Sequence, residues 1–166
     1  DDSNPLNIKK GNPGLKPSFT NNLNIFYNNY IQKKQRAIMA NLNYSNTRNS
    51  ISNMVTYDEK TGGRTTRPEN INGNWNIAGG FMFNTALDSV GRWNVNTHTT
   101  LRYNNYVNYL SIDRTSDSQK NTTRTTTLGE RLAGSYRIDW LEVELDGSMN
   151  YTHTKNLLQS ENDLDT

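Results

Sequence analysis

The stretch Trp93–Ile112, WNVNTHTTLRYNNYVNYLSI, decides how the chain is read. Its odd positions carry Trp93, Val95, Thr97, Thr99, Leu101, Tyr103, Asn105, Val107 and Tyr109. Its even positions carry Asn94, Asn96, His98, Thr100, Arg102, Asn104 and Asn108. Strand side chains alternate between two faces, so one face of this segment suits lipid and the other suits water. The alternation runs well past the five or six residues or so of an ordinary soluble strand.

Five further stretches behave alike. The first covers about 18 to 30, with Phe19, Leu23, Ile25 and Tyr27 on one side, and a short turn at 31–35 leads to a second with Ile38, Ala40, Leu42 and Tyr44. Around Thr47–Ser50 the phase slips to Ile51, Val55 and Tyr57, which is the expected mark of a β-bulge. After a polar loop from Asp58 comes a third stretch with Ile71, Trp75, Ile77, Phe81, Phe83 and Leu87; Gly79-Gly80 inside it reads as a bulge or a close backbone approach. Asp88–Gly91 is a tight turn into the stretch quoted above, and Asp113–Asn121 is a second polar loop. The fifth stretch, 122–138, carries Leu128, Leu132, Tyr136 and Ile138; after a turn at Asp139-Trp140 the sixth carries Leu141, Val143, Leu145, Met149 and Tyr151. The expected fold class is all-β: an antiparallel up-and-down meander of about six long strands, part of a larger transmembrane β-barrel.

Composition fits that class. Only 32% of the chain is hydrophobic and the mean hydropathy is −0.92, too polar for a well-filled globular core but natural where every second strand residue meets lipid. Disorder is opposed by the period-two phasing of the apolar residues. No apolar run reaches the length of about 18 residues that a spanning helix needs. Cysteine is absent, which removes disulfide scaffolds and thiolate metal sites. A net charge of +2, with cations spread among acids, gives no basic patch for nucleic acid.

Geometry sets the expected lipid contact. Ten residues at about 3.3 Å each, tilted by roughly 40°, climb about 25 Å, the height of the apolar band in outer-membrane barrels. Trp93 and Tyr103 are separated by that step and are expected in the two aromatic girdles, as are Phe83 and Trp75. The residues expected to face the membrane are Trp75, Ile77, Phe81, Phe83, Trp93, Val95, Leu101, Tyr103, Leu132, Tyr136, Val143 and Leu145. Six strands are too few for a membrane barrel, since the smallest have about eight. The chain is therefore expected to be an internal piece, with a Pro/Gly/Asn-rich loop at 1–17, barrel wall at 18–158, a truncated loop at 159–166, and any secretion leader outside the segment.

Gly11-Asn12-Pro13-Gly14-Leu15-Lys16-Pro17, followed by Phe19-Thr20-Asn21-Asn22 and an alternating strand, resembles the TonB-dependent outer-membrane receptors and the related outer-membrane β-barrel family. Asn70-Ile71-Asn72-Gly73, leading into a descending strand, is a second similarity. The resemblance implies a barrel of about 22 strands closed by a separate plug domain. Its implied partners are outer-membrane lipid, the rest of the barrel and plug, a TonB-type coupling protein and a surface lipoprotein.

Candidate sites are few. His98 and His153 fall on opposite faces and offer no convergent ligand set, so no metal is expected. Glu142, Glu144 and Asp146 line one face and suit a charged lumenal stripe better than an acid/base pair, which needs one carboxyl in an apolar pocket. No nucleophile elbow, phosphate loop or metalloprotease helix appears, so no catalytic residue, cofactor or enzymatic activity is expected. The Asn, Thr and Arg lining serves to hydrate the lumen and hold a plug, or to contact a polar solute; ligand specificity is expected in the loops Asp58–Arg67 and Asp113–Thr123. The alternative from another class is a soluble or surface-anchored β-sandwich adhesion module, in which the same apolar face buries against a second sheet.

Overall fold

The computed structural model describes residues 6–113 and 115–158, so the expected loop at 159–166 lies outside the described residues. Nine strands form among the described residues: β1 (Asn7–Lys9), β2 (Phe19–Ile31), β3 (Arg36–Arg48), β4 (Ser50–Tyr57), β5 (Arg64–Ile71), β6 (Asn74–Ala86), β7 (Trp93–Leu110), β8 (Gln119–Ile138) and β9 (Leu141–Leu158). Six of them make one antiparallel sheet in the order β2-β3-β6-β7-β8-β9. The other three make a smaller sheet, β1-β5-β4.

Each long strand forms because its β-branched and aromatic residues recur at period two. Short connections join the strands at one end of the large sheet. A 3-10 turn at Gln32–Lys34 closes β2 onto β3, with Gln35 left-handed at φ 48°. Asp88 closes the next turn by accepting from the Trp93 amide at 3.1 Å. Asp139-Trp140 alone separates β8 from β9. The connections at the opposite end are longer.

The largest of those is the hairpin β4/β5, which continues β3 and β6 but leaves their sheet. Thr47 pairs with Asn74 and Ser50 pairs with Ile71, so Arg48-Asn49 on one strand matches Asn72-Gly73 on the other. No residue is extra, and the bulge expected at Thr47–Ser50 is instead a coordinated bend of both strands. Asn49 turns the first at φ 54° and Gly73 the second at φ 123°, while the Asn49 amide donates to Asn72 Oδ1 at 2.9 Å. A Cβ at position 73 would press within 3.1 Å of Val107, so glycine is required both by backbone and by space.

Two other expectations are corrected and a third is narrowed. Asn7–Lys9, expected as loop, is a strand lying parallel to Arg64–Thr66. The polar loops are shorter than expected, because Arg64–Arg67 belongs to β5 and Gln119–Asn121 to β8. Gly79 and Gly80 stay in an unbroken ladder opposite Leu42 and Asn41, so they mark a close approach rather than a bulge.

Buried residues gather where the hairpin bends over β7. Ile71 and Val107 are 4% and 3% exposed, with Asn105, Ser118 and Asn121 buried around them. Elsewhere the apolar face is uncovered: Leu101 keeps 47% and Leu145 76% of its surface. Among the described residues no second sheet lies on that face, because the small sheet extends from an end of the large one. The sandwich alternative needs such a layer.

Candidate functional site

Residues directly paired across strands share a face, so the ladder sorts every side chain. One rung reads Ile25, Leu42, Gly79, Leu101, Leu128 and Tyr151. The next rung toward the short turns but one reads Asn29, Ile38, Phe83, Thr97, Leu132 and Gly147. Trp75, Ile77, Phe81, Phe83, Trp93, Val95, Leu101, Tyr103, Leu132, Tyr136, Val143 and Leu145 all fall on this one face by the same register.

Aromatic rings mark two levels on it. Trp75 stands between Tyr44 and Tyr103, with ring centroids 6.3 and 5.1 Å away. Toward the other end Trp93 packs on Tyr136 at 4.4 Å. Between the two groups lie Leu42, Phe81, Leu101, Leu128 and Leu132. Burying such a belt in hydrocarbon contributes roughly 25 cal/mol per Å² of apolar surface removed from water.

The opposite face is polar. Its clearest rung is Asn22, Ser45, Asn76, Asn104, Thr125 and Thr154. Side chains here close over the glycines: Asn41 occupies the space above Gly80, and Thr100 and Asn150 converge above Gly129. Above Gly134 and Gly147, on the apolar face, nothing lies within 4 Å. Charges collect toward the short turns. Arg131 holds Asp146 through Nε and Nη2 of its guanidinium, Arg137 faces Glu142, and Ser135 faces Glu144. His98 sits between Met82 and Arg131, while His153 is on the apolar face opposite Thr126, so the two histidines do not meet.

At the far end the strand leading into the first of the two loops expected to carry ligand specificity meets the second loop. The Val55 amide donates to Ser118 Oγ and the Ser118 amide to Val55 O, both at 2.8 Å; the Tyr57 amide donates to Asp117 Oδ1 at 2.7 Å. Arg64 reaches Ser111 Oγ at 3.2 Å. Inside the second loop, the Thr115 amide and hydroxyl donate to Asp113 at 2.8 and 2.9 Å. The Thr115 backbone amide is the main reason that the Asp113 carboxyl lies below the ordinary carboxylate range, followed by the Thr115 and Ser116 side chains.

A clasp at the same end escaped the sequence reading. Asn12 donates to Pro68 O at 3.0 Å and Glu69 Oε2 at 3.2 Å, and accepts from Arg67 at 2.8 Å and Gly14 at 3.0 Å. Asn70 accepts from the Lys16 amide at 2.7 Å and donates to Lys16 O at 2.9 Å. Part of the signal was present: Asn12, Gly14, Lys16 and Asn70 belong to the Gly11–Pro17 and Asn70–Gly73 strings, while Arg67, Pro68 and Glu69 lie just before the second.

A family model described as an outer membrane protein beta-barrel family matches residues 1–164. No curated protein and no solved structure matches the chain.

Proposed function

The chain belongs to the outer membrane protein β-barrel family, and from that premise we propose that it is an arc of the wall of an energised nutrient receptor. The outer membrane is where it resides, with lipid against the apolar face. Hydrocarbon cannot satisfy free strand edges, and β2 and β9 each have only one partner among the described residues; the arc therefore closes with further strands. Short turns face the periplasm and the long connections face the exterior, as in other barrels of this kind.

The observation that carries the reading is the segregation of two face chemistries across six long strands. A wall so built needs no catalytic group, and we propose none. The asparagine and threonine rungs hydrate a lumen and hold a plug, while the loops at 58–63 and 111–118, tied to one another's flanks through Val55, Tyr57 and Arg64, receive the solute. Coupling to a TonB-type protein and capping by a lipoprotein rest on the resemblance of the Gly11–Pro17 string.

Uptake tests this. Cells that depend on the complete protein for a solute should lose its accumulation when the coupling protein is deleted or the proton gradient is collapsed. Solute entry that continues at the same rate under both conditions would mark a passive channel and sink the receptor reading.

A further inference from the structure

The apolar face carries one pair of like charges that the rest of the fold does not explain. Arg124 on β8 lies directly opposite Lys155 on β9. Both are exposed. Side chains so paired stand about 5 Å apart at Cβ, and like charges in that position are destabilising. Elsewhere the same two strands avoid this: Arg137 faces Glu142, and Arg131 reaches Asp146.

Among the described residues neither Arg124 nor Lys155 has an ion pair; those present join Arg67 to Glu69 and Arg131 to Asp146. The acid on the same face of β8 is Glu130, which is six residues further along and takes the Thr99 hydroxyl. Arg124 is nonetheless held in place. Its Nε donates to Asn105 Oδ1 at 3.3 Å, and Asn105 is itself fixed by donating to Gly73 O at 2.7 Å.

Depth supplies the occupant. Trp75, Asn105, Arg124 and Lys155 form one continuous rung. Trp75 belongs to the aromatic group nearer the long connections, and such girdles sit at headgroup level. The two cations thus point outward from the wall at the height where an outer-leaflet lipid carries its phosphate.

We propose that Arg124 and Lys155 form a site on the outer wall for the phosphate of an outer-leaflet glycolipid headgroup. The guanidinium supplies a planar fork and the ammonium a point charge, which together embrace a phosphate that neither binds well alone. The site rests on placement in the outer membrane, not on energised uptake, so uptake can fail entirely without touching it.

The test uses the complete protein purified in mild detergent and titrated with bisphosphorylated lipid A, with bound lipid counted by native mass spectrometry. Arg124→Gln/Lys155→Gln should weaken binding by roughly thirtyfold, as expected for two cations removed from an anionic surface. Lys34→Gln, at a short turn, should leave it unchanged. The wild-type protein alone gives a second readout that needs no variant to fold: removing the phosphates from lipid A should weaken binding by a similar factor.

Equal affinity in the double variant would overturn the site. Equal affinity of the wild type for the phosphate-free lipid would also overturn it. Inorganic phosphate that occupies the pair as tightly as the lipid would assign it to a free anion and reject the lipid.

Discussion

Asn70 pairs with Lys16 in both directions, its side-chain amide accepting from the backbone amide at 2.7 Å and donating to the carbonyl at 2.9 Å. A side chain here does what a neighbouring strand normally does. The same amide also donates to Asn49 O at 3.0 Å, so one residue joins the leading segment, the bend of β3 and the end of β5. Losing Asn70 should therefore act on the outer hairpin and not on the wall. Asn70→Ala is expected to cost about 1 to 3 kcal/mol locally, given roughly 1 kcal/mol per hydrogen bond. Hydrogen exchange checks this: amides of Asn7–Lys16 should lose protection while those of β7 and β8 keep theirs.

Leu101 and Asn104 sit on the same strand and opposite faces. Leu101 lies in the middle of the apolar belt beside Leu128, and Asn104 in the polar rung beside Asn76. Leu101→Arg is expected to cost about 2 to 4 kcal/mol of barrel stability at the bilayer midplane. Asn104→Arg should cost well under half of that. Unfolding of the complete protein from liposomes by denaturant measures both, and equal costs would contradict the assigned faces.

Glycines separate the two faces by another route. A Cβ at Gly129 would fall 2.5 Å from Thr100 Oγ1 and 3.0 Å from Asn150 Oδ1, and Thr100 is a β-branched residue with little freedom. Gly129→Ala is expected to destabilise by about 1 to 3 kcal/mol. At Gly80 the obstacle is the terminal oxygen of Asn41, which can rotate away, so Gly80→Ala should cost less. Gly147→Ala meets nothing within 4 Å and should be near neutral. The same denaturant series ranks all three.

Asp113 gives the outer loop a pH dependence. Its folded pKa is depressed by the Thr115 amide first, so its contribution to loop order is full above the unfolded value, about 3.9, and is lost as pH falls through the lower folded value. Protection of the Thr115 amide, relative to its unfolded exchange rate, should fall only in that acid range. Asp113→Ala should bring fast exchange to neutral pH as well.

The fold was legible where alternation is long and apolar. Trp93 to Tyr103 names its own faces, and Asp88–Gly91 and Asp139-Trp140 are short enough to set the registers of β6 on β7 and of β8 on β9 close to them, so the alignments of Phe83 with Thr97 and of Tyr136 with Val143 follow. Legibility fails where chemistry is weak or non-local. Ile8 is one apolar residue among Asn7, Lys9 and Lys10, and its strand exists only because Thr65 lies beside it. Gln119–Asn121 is wholly polar and pairs because β7 continues past it. The slip near Asn49 was visible in one strand, but only the partner strand distinguishes a left-handed bend from an added residue. On the site, the two faces could be read from the sequence. The pairing of Arg124 with Lys155 could not, because it depends on counting outward from a turn about fifteen residues away.

The leading segment precedes β2 in the chain yet lies against β5, which is made much later. Synthesis therefore delivers Asn7–Lys9 before its mate exists. The hairpins between neighbouring strands can zip up locally and early, whereas this long-range closure has to wait for Arg64–Ile71 to arrive, making the clasp a last latch in assembly rather than a nucleus for it.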